Sequence, residues 1–319
     1  ASMLALSPDV LILDEPTSNL DPQATESIFE TLSKLRREND LTIIVIEHKL
    51  SQLESFNHEC LTLEDGEILA SENLQGDQTN PSDIVFSFPK SQRLNFPSLD
   101  NLLALKDVTV DRSGQRILSD INFQVSLGEF IALMGSNGSG KTTLLETMMG
   151  FHAYQKGRIS AFGSEDNKLR TSALVNDIGY IFQNPDHQLF TQSVWEEAVL
   201  TSENLKCLDR ERQGLAEELL HQMGLIAYKD THPQRLSYGE NRRLNLISSL
   251  LQGPQLLLID ELLIGQDMVN AQIWMRFLHE FTRLGNSVVL VNHHAELSQE
   301  YCDRVVFMEK GQIIIDLPI

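Results

Sequence analysis

The sequence has no long apolar run and few positive charges. No stretch approaches the roughly 20 consecutive apolar residues that a membrane-spanning helix needs, and the N-terminus lacks the basic and then apolar segments of a signal peptide. We therefore expect any contact with a membrane to go through a partner. Lys and Arg number 25 against 45 Asp and Glu, and the resulting formal charge of −20 argues against a nucleic-acid partner.

Cysteine is also scarce. Cys60, Cys207 and Cys302 are odd in number, far apart and without metal-binding spacing, which is typical of reduced core residues in a cytosolic protein. The 319 residues, 41% hydrophobic and 22% charged, have the composition of a globular protein long enough for two domains. Ala1 is not an initiator methionine and is followed at once by a helix and strand pattern, so we expect the chain to be a fragment.

An internal repeat sets the predicted organisation. Residues 8–15 align with residues 254–261 at an offset of 246, and Asp21 falls on Asp267 at the same offset. At an offset of 245, His48 falls on His293 and Gly66 on Gly311. We predict that residues 1–75 end one unit, that residues 76–101 are a polar, proline-containing linker, and that residues 102–319 form a nearly whole second unit.

The second unit alternates predicted strands and helices. Short apolar segments at 130–134, 178–182, 255–259 and 287–291 are typical of strands buried in a parallel sheet, while 105–110 and 117–124 alternate as half-buried strands do. Residues 142–150, 210–224 and 268–283 have helical composition. The predicted fold class is α/β.

A glycine-rich segment between the strand at 130–134 and the following helix predicts a phosphate site. It satisfies the pattern GxxxxGK[ST], in which backbone N–H groups and the helix N-terminus point at phosphates, the lysine supplies a positive charge and the last hydroxyl binds magnesium. The candidate residues are Gly135, Ser136, Asn137, Gly138, Ser139, Gly140, Lys141, Thr142 and the following Thr143.

Two carboxylates follow the apolar strand at 255–259. We predict that Asp260 holds magnesium together with Thr142, and that Glu261 polarises the water that attacks the γ-phosphate. A lone Asp-Glu pair is more often a solvated strand end. The phosphate-binding pattern about 120 residues upstream favours the functional interpretation.

With these motifs the second unit resembles ABC ATPases along its whole length, and the first unit resembles their last third. The resemblance implies a P-loop NTPase fold of ABC-ATPase type, with a parallel core sheet, an antiparallel β subdomain and a helical subdomain, and ATP and Mg²⁺ as cofactors. It implies that Gln183 contacts magnesium and the attacking water. It also implies that His293 contacts the γ-phosphate.

The sequence departs from that family at three places. Leu236 is followed by Ser237, Tyr238, Gly239 and Glu240 where the family has its LSGGQ signature, and we expect the bulky Tyr238 and the acidic Glu240 to weaken this half-site. Asp267 is retained, but the loop around it is altered. Arg112 stands near the position of an aromatic residue that stacks on adenine; it either stacks through its guanidinium or is an exposed arginine without a ligand contact.

ABC domains work as head-to-tail pairs, in which each ATP lies between the phosphate loop of one domain and the signature of the other. The resemblance therefore implies that the two units pair in this way. The first unit contributes its own candidate site residues, Asp14, Glu15, Asp21 and His48.

The segment from Gln183 to Phe190, which reads QNPDHQLF, resembles the energy-coupling-factor ATPases of vitamin and cobalt importers. This implies transmembrane subunits that dock near Gln183–Trp195, with Leu189, Phe190 and Trp195 as candidate contacts, although Trp195 also fits the core of a helical subdomain. The implied protein powers import of a vitamin, a vitamin precursor or a metal ion, peripherally at the cytoplasmic face of the membrane. The alternatives are a soluble tandem ABC ATPase in translation or repair, and a regulatory nucleotide-binding subunit.

Overall fold

The structure, a computed structural model, divides into two compact units. It describes residues 8–14, 16–17, 22–39, 41–47, 61–64, 67–69, 86, 88, 101–165, 171–263 and 268–319. One unit comprises Ala1–Val85 with Ile264–Ile273, and the other comprises Phe86–Leu263 with Trp274–Ile319.

The first unit contains a strand–helix–strand segment and a short hairpin. Strand β1 (Val10–Asp14) pairs in parallel with β2 (Thr42–Ile46), and helix α1 (Pro22–Asn39) connects them. The hairpin consists of β3 (Thr62–Glu64) and β4 (Glu67–Leu69). The amphipathic pattern of α1 buries Phe29, and Arg36 and Arg37 in its last turn complement the negative end of the helix dipole.

The second unit is built on two sheets. Its strands are β5 (Asn101–Arg112), β6 (Gln115–Ser126), β7 (Phe130–Gly135), β8 (Lys156–Ala161), β9 (Ser164–Glu165), β10 (Ile178–Ile181), β11 (Leu256–Asp260), β12 (Ser287–Val291), β13 (Arg304–Glu309) and β14 (Gln312–Pro318). The larger sheet has the order β10-β11-β12-β7-β13-β14 and is parallel except for the edge strand β14. The smaller sheet, β6-β5-β8-β9, is antiparallel.

Helices cover the sheets and form a separate helical part. They are α2 (Lys141–Met148), α3 (Thr171–Leu174), α4 (Val194–Asn204), α5 (Arg210–Gln222), α6 (Tyr238–Leu251), α7 (Met268–Arg283) and α8 (Ala295–Tyr301). Helices α4 and α5 pack against α6, and α4, α5 and α6 each begin at a side-chain cap, on Ser193, Asp209 and Ser237 respectively. Within the described ranges, no helix is both long and apolar enough to cross a membrane.

The core lies between the two sheets and α2. Strands β11 and β12 are buried at every residue, as expected of parallel strands that are covered on both faces. Apolar residues of β5 and β6, among them Val108, Leu118 and Ile121, pack in the same cluster as Leu144 and Leu145 of α2. The core therefore fixes α2, and with it the glycine-rich loop, against the carboxyl ends of the parallel strands.

The repeat predicted from the sequence has a counterpart in the secondary structure. In the first unit, β1 ends at Asp14 and pairs in parallel with β2, the next strand in the sequence. In the second unit β11 ends at Asp260 and pairs in parallel with β12. A helix connects the two strands in each case.

Candidate active site

The glycine-rich loop connects β7 to α2 at the carboxyl edge of the parallel sheet. Gly138 and Gly140 have positive φ angles of 77° and 105°, and Gly140 is the N-cap of α2. Such angles suit glycine and let successive backbone N–H groups turn toward one point. Lys141 is 5% exposed, and its Nζ donates to the carbonyl oxygens of Gly135 at 2.8 Å and Ser136 at 2.9 Å.

Two neighbouring elements hold this loop in shape. Ser139 accepts a hydrogen bond from the N–H of Gly311 at 2.9 Å, and the carbonyl of Gly311 accepts one from Ser119 at 2.9 Å. A Cβ atom on Gly135 would lie 2.3 Å from the carbonyl oxygen of Met308, and one on Gly311 would lie 2.1 Å from that of Ile117. The loop therefore depends on contacts from β6 and the β13–β14 turn that only glycine permits.

Asp260 lies at the end of β11, beside the start of α2. The hydroxyl of Thr142 donates to its Oδ2 at 2.8 Å, while its Oδ1 is buried and has no hydrogen-bond partner among the described residues. The pKa of Asp260 is raised to about 6, mainly by burial and also by the neighbouring charge of Glu261, against the lowering effects of the Thr142 hydroxyl and the Lys141 charge. A buried carboxylate oxygen with no partner, next to a threonine hydroxyl, suits a hard cation such as Mg²⁺.

The predicted metal residues do not form an all-protein cage. In the part of the chain that the structure describes, no cluster of three His, Cys, Asp or Glu side chains could hold a metal ion. Mg²⁺ keeps several waters and is usually held by one or two protein groups together with substrate phosphates, a role for which Thr142 and Asp260 are the candidates. Ser139 Oγ, like Asp260 Oδ1, is buried with no partner among the described residues.

Glu261 brings the predicted catalytic side chains together. Its Oε1 lies 3.1 Å from Nε2 of His293, and its Oε2 accepts from Nε2 of Gln183 at 2.5 Å. Burial alone would raise the pKa of Glu261, but the hydrogen bond and charge of His293, the Gln183 amide and the Lys141 charge lower it overall. The carboxylate is thus kept ionised and aligned, as a group that orients a water must be.

The residue before His293 arranges the turn on which it lies. Asn292 is 2% exposed, and its side-chain amide donates to the His294 carbonyl at 3.2 Å and to Ser298 Oγ at 3.0 Å. Its Oδ1 accepts from the N–H of His294 at 3.1 Å. Sequence reasoning did not identify Asn292, although its place directly after the buried strand β12 was a usable signal.

The altered signature forms the first turn of α6. Ser237 and Glu240 make a capping box, in which Ser237 Oγ accepts from the Glu240 N–H at 3.3 Å and Glu240 Oε2 accepts from the Ser237 N–H at 2.7 Å. Both Ser237 and Tyr238 are exposed, and Gly239 is half-buried. The Glu240 carboxylate therefore lies at the positive end of the helix, where an anionic ligand would otherwise be favoured.

Sequence reasoning also missed Arg242, one turn further along α6. This arginine is 1% exposed. It donates through Nη1 to the carbonyl oxygen of Glu261 and through Nη2 to that of Gln183 at 2.8 Å. Its spacing of four from Tyr238 puts the two side chains on one face of α6, which was the only signal in the sequence.

The candidate docking segment differs from residue to residue. Phe190 is 73% exposed, Leu189 is half-buried, and Trp195 is half-buried with the Lys229 ammonium 4.2 Å from its ring centre. Glu197, which sequence reasoning missed, is 2% exposed and accepts three bonds through Oε2: from the N–H groups of Phe190 at 2.8 Å and Thr191 at 2.9 Å, and from the Thr191 hydroxyl at 3.0 Å.

Two of the remaining predicted residues, Arg112 and Asp14, lie in described strands. Arg112 is exposed at the end of β5, where it pairs with Gln115 in the hairpin. Asp14 is exposed at the end of β1 in the first unit. Glu15, Asp21, His48 and Asp267 lie outside the described residues, as does Cys60, while Cys302 is buried and Cys207 half-buried, both as free thiols.

Comparison with known proteins gives matches over this part of the chain and beyond it. Residues 118–263 match the family model described as ABC transporter. A putative ABC transporter ATP-binding protein from Methanosarcina mazei is 33% identical over 99% of this chain and 62% of its own length. A putative HMP/thiamine import ATP-binding protein from Bacillus subtilis is 29% identical over 99% of this chain and 63% of its own length.

Solved structures give a similar result. The structure of cbiO1 from Clostridium perfringens, described as part of the ABC transporter complex cbiONQ, superposes with a TM-score of 0.61 at 29% identity. The superposition covers 68% of this chain and 88% of the cbiO1 chain. The chain spans about three fifths of the length of the curated relatives it matches.

Proposed function

We propose that the second unit, in which residues 118–263 match the ABC transporter family model, binds ATP with Mg²⁺ and hydrolyses it to drive a membrane transporter. The observation that carries this proposal is the cluster at the carboxyl edge of the sheet. There a phosphate-binding loop, a buried Asp260 with an unpartnered oxygen and an ionised Glu261 meet.

The residues have distinct chemical tasks in the hydrolysis. Lys141 and the N–H groups at the start of α2 neutralise the β- and γ-phosphate oxygens. Glu261 accepts a hydrogen bond from the attacking water and orients it in line with the bond to the leaving ADP oxygen, and Gln183 and His293 hold the carboxylate in place. Thr142 and Asp260 would hold magnesium, which would supply positive charge to the phosphate oxygens when bound.

We also propose that the first unit is the end of a further cassette and that cassettes pair head to tail. The support is the sequence repeat together with the two strand–helix–strand segments that end in Asp14 and Asp260. In such a pair, the first turn of α6 faces the nucleotide of the partner cassette. The capping box with Glu240 then makes the partner's half-site weak.

The transported substrate class is proposed to be a vitamin, a vitamin precursor or a metal ion, taken up through transmembrane subunits. The QNPDHQLF segment and the similarity to an HMP/thiamine import protein and to part of the cbiONQ complex support this assignment. The exposed Phe190, held by Glu197, is the proposed contact with the transmembrane partner. The ATPase thus acts peripherally at the cytoplasmic face of the membrane.

The test uses the protein purified with its membrane partner. We expect the wild type to release phosphate in a magnesium-dependent reaction. Glu261→Gln should reduce this release by about 10²-fold or more while ATP binding is kept. Lys141→Ala should lose both ATP binding and phosphate release. Glu203→Gln, an exposed acid on α4, is the matched control and should be without effect. Unchanged hydrolysis in Glu261→Gln contradicts the catalytic assignment. ATP binding without turnover in the wild type favours a regulatory subunit, and copurification with ribosomes or DNA favours a soluble tandem ATPase.

A further inference from the structure

Arg242 contacts two predicted catalytic residues through their backbone. Its guanidinium is buried, and it donates to the carbonyl oxygens of both Glu261 and Gln183. These two residues are 78 positions apart in the sequence. Their side chains are also in contact, because Gln183 Nε2 donates a hydrogen bond to Glu261 Oε2. A buried arginine is costly unless its donors are used. Both Nη groups of Arg242 are used in this way, while its buried Nε has no partner among the described residues. Arg242 thus joins the two peptide groups that carry the cluster.

Tyr238 completes this connection from the first turn of α6. Its hydroxyl donates to the carbonyl oxygen of Gln183 at 3.2 Å and accepts from Arg242 Nη2 at 2.7 Å. The guanidinium carbon of Arg242 also lies 4.7 Å from the centre of the Tyr238 ring. The phenol, which stands where the related signature has glycine, is therefore engaged inside its own domain.

The backbone of Glu261 needs such support. Its φ angle is +59°, which is unfavourable for a residue with a side chain and persists only where the surroundings fix it. The bond from Arg242 to the Glu261 carbonyl is a contact of this kind. A shift of this peptide would move the carboxylate away from His293 and Gln183.

We propose that Tyr238 and Arg242 are a positioning pair for ATP hydrolysis, which connects the signature turn of α6 to Gln183 and Glu261 of the same domain. The proposal rests on the proposed function. In a head-to-tail pair the signature turn faces one nucleotide and Gln183 serves the other. A ligand at the first turn of α6 thus acts on the Gln183 loop through the Tyr238 hydroxyl.

The decisive variant is Tyr238→Phe, which removes only the hydroxyl of a side chain that is 45% exposed. In the protein with its membrane partner we expect kcat to fall about 3- to 10-fold, the effect of one hydrogen bond, with KM for ATP unchanged within about twofold. In a Gln183→Ala background the same change should alter kcat by less than about twofold, because contacts in one network are not additive. Tyr228→Phe, at a tyrosine that is 41% exposed on a different helical turn, is the matched control.

A second measurement does not require hydrolysis. Hydrogen exchange of the amides in 183–188, without nucleotide, should be faster in Tyr238→Phe than in the wild type and in Tyr228→Phe. Arg242→Lys should speed this exchange further and lower kcat more than Tyr238→Phe does, because one ammonium cannot bridge two carbonyl groups as a guanidinium does. If Arg242→Lys does not fold, the Tyr238→Phe results still decide.

Three outcomes overturn the proposal. They are an unchanged kcat in Tyr238→Phe, an equal loss of kcat in the wild-type and Gln183→Ala backgrounds, and unchanged exchange in 183–188. A wild type that does not hydrolyse ATP contradicts the proposed function instead. In that case the exchange experiment alone tests whether Tyr238 and Arg242 hold the Gln183 loop.

Discussion

Asp260 and Glu261 are adjacent at the end of β11, yet the pKa values of their carboxyl groups move in opposite directions. The pKa of Asp260 is raised to about 6, mainly by burial, whereas hydrogen bonds from His293 and Gln183 outweigh burial and lower that of Glu261. Neighbouring carboxyl groups with separated pKa values have separate roles. Here one suits a cation that offsets its buried charge, and the other stays ionised without a cation.

The first prediction concerns stability in the absence of magnesium. The folded protein binds a proton at Asp260 more tightly than the unfolded chain does between pH 3.8 and about 6, so the ionised, buried carboxylate costs stability as the pH rises through that window. At pH 7.5 we expect Asp260→Asn to raise the free energy of unfolding by about 1–3 kcal/mol. Thermal or urea unfolding without magnesium measures this.

Magnesium with ATP provides the control for that experiment. It should stabilise the wild type and reverse the order of the two proteins, because Asp260→Asn removes a charged ligand. An Asp260→Asn variant that is less stable than the wild type at pH 7.5 without magnesium would show that the carboxylate is not an unpartnered charge.

The second prediction concerns the pH dependence of hydrolysis. His293 lowers the pKa of Glu261 through a hydrogen bond and through charge, so His293→Ala should raise that pKa and move the acid limb of the kcat profile to higher pH. At pH 7.5 we expect kcat to fall about 10- to 100-fold, below the full contribution of a general base. Steady-state rates from pH 5 to 9 measure both effects.

The neighbouring histidine is the control for this prediction. His294→Ala should leave the acid limb where it is, because His294 is the N-cap residue of α8 and is not one of the groups that shift the pKa of Glu261. A His293→Ala profile with a lower rate but an unmoved acid limb would mean that His293 acts on the phosphate alone.

The residues of the predicted phosphate site lie within one loop, so the sequence alone could indicate them, and their role in binding phosphate stays a prediction. The Lys141 loop and the Asp260-Glu261 pair each form a continuous motif, and the α/β class of ABC-ATPase type, with its parallel sheet, antiparallel β subdomain and helical part, is confirmed. Arg242 and Glu197 were missed because surface charges on an amphipathic helix show the same local patterns, including the spacing of four that relates Arg242 to Tyr238. Their roles arise only when α6 and α4 pack against loops distant in the sequence.

The extent of the β subdomain was also underestimated for a physical reason. Alternation predicted strands at 105–110 and 117–124, whereas β5 and β6 run from Asn101 to Arg112 and from Gln115 to Ser126. Register shifts within this pair interrupt the two-residue period while the pairing continues. The assignment of residues 1–75, 76–101 and 102–319 to separate parts stays a prediction.

The third prediction concerns the half-site that we propose at the first turn of α6. Glu240→Gln keeps a side-chain acceptor for the Ser237 N–H but removes a negative charge from the positive end of the helix. We expect the ATP concentration for half-maximal association of cassettes to fall about threefold or more, a change of about 0.7 kcal/mol, with little change in thermal stability. Light scattering measures this association, with Glu261→Gln present in both proteins that are compared.

Two further variants separate charge from capping in that experiment. Glu240→Ala breaks the capping box and should lower stability by about 1 kcal/mol. Glu211→Gln removes an acid from the first turn of α5 and should leave association unchanged. Equal association of the wild type and Glu240→Gln would show that Tyr238, rather than the charge, determines the strength of this half-site.

The fourth prediction concerns the proposed contact of Phe190 with a transmembrane partner. Phe190 is the most exposed large apolar side chain of the described residues, and Glu197 fixes its backbone from within the helical part. Phe190→Ala should therefore reduce copurification with the transmembrane subunit by about 10-fold or more, as expected for an aromatic anchor, while thermal stability and ATP binding stay as in the wild type. Leu127→Ala, which changes an apolar residue 53% exposed in the turn before β7, should have no effect on copurification.

Because Glu197 acts only by holding the loop that carries Phe190, Glu197→Gln should give a smaller loss of copurification than Phe190→Ala. Equal recovery of the partner with Phe190→Ala and Leu127→Ala would place the docking surface elsewhere.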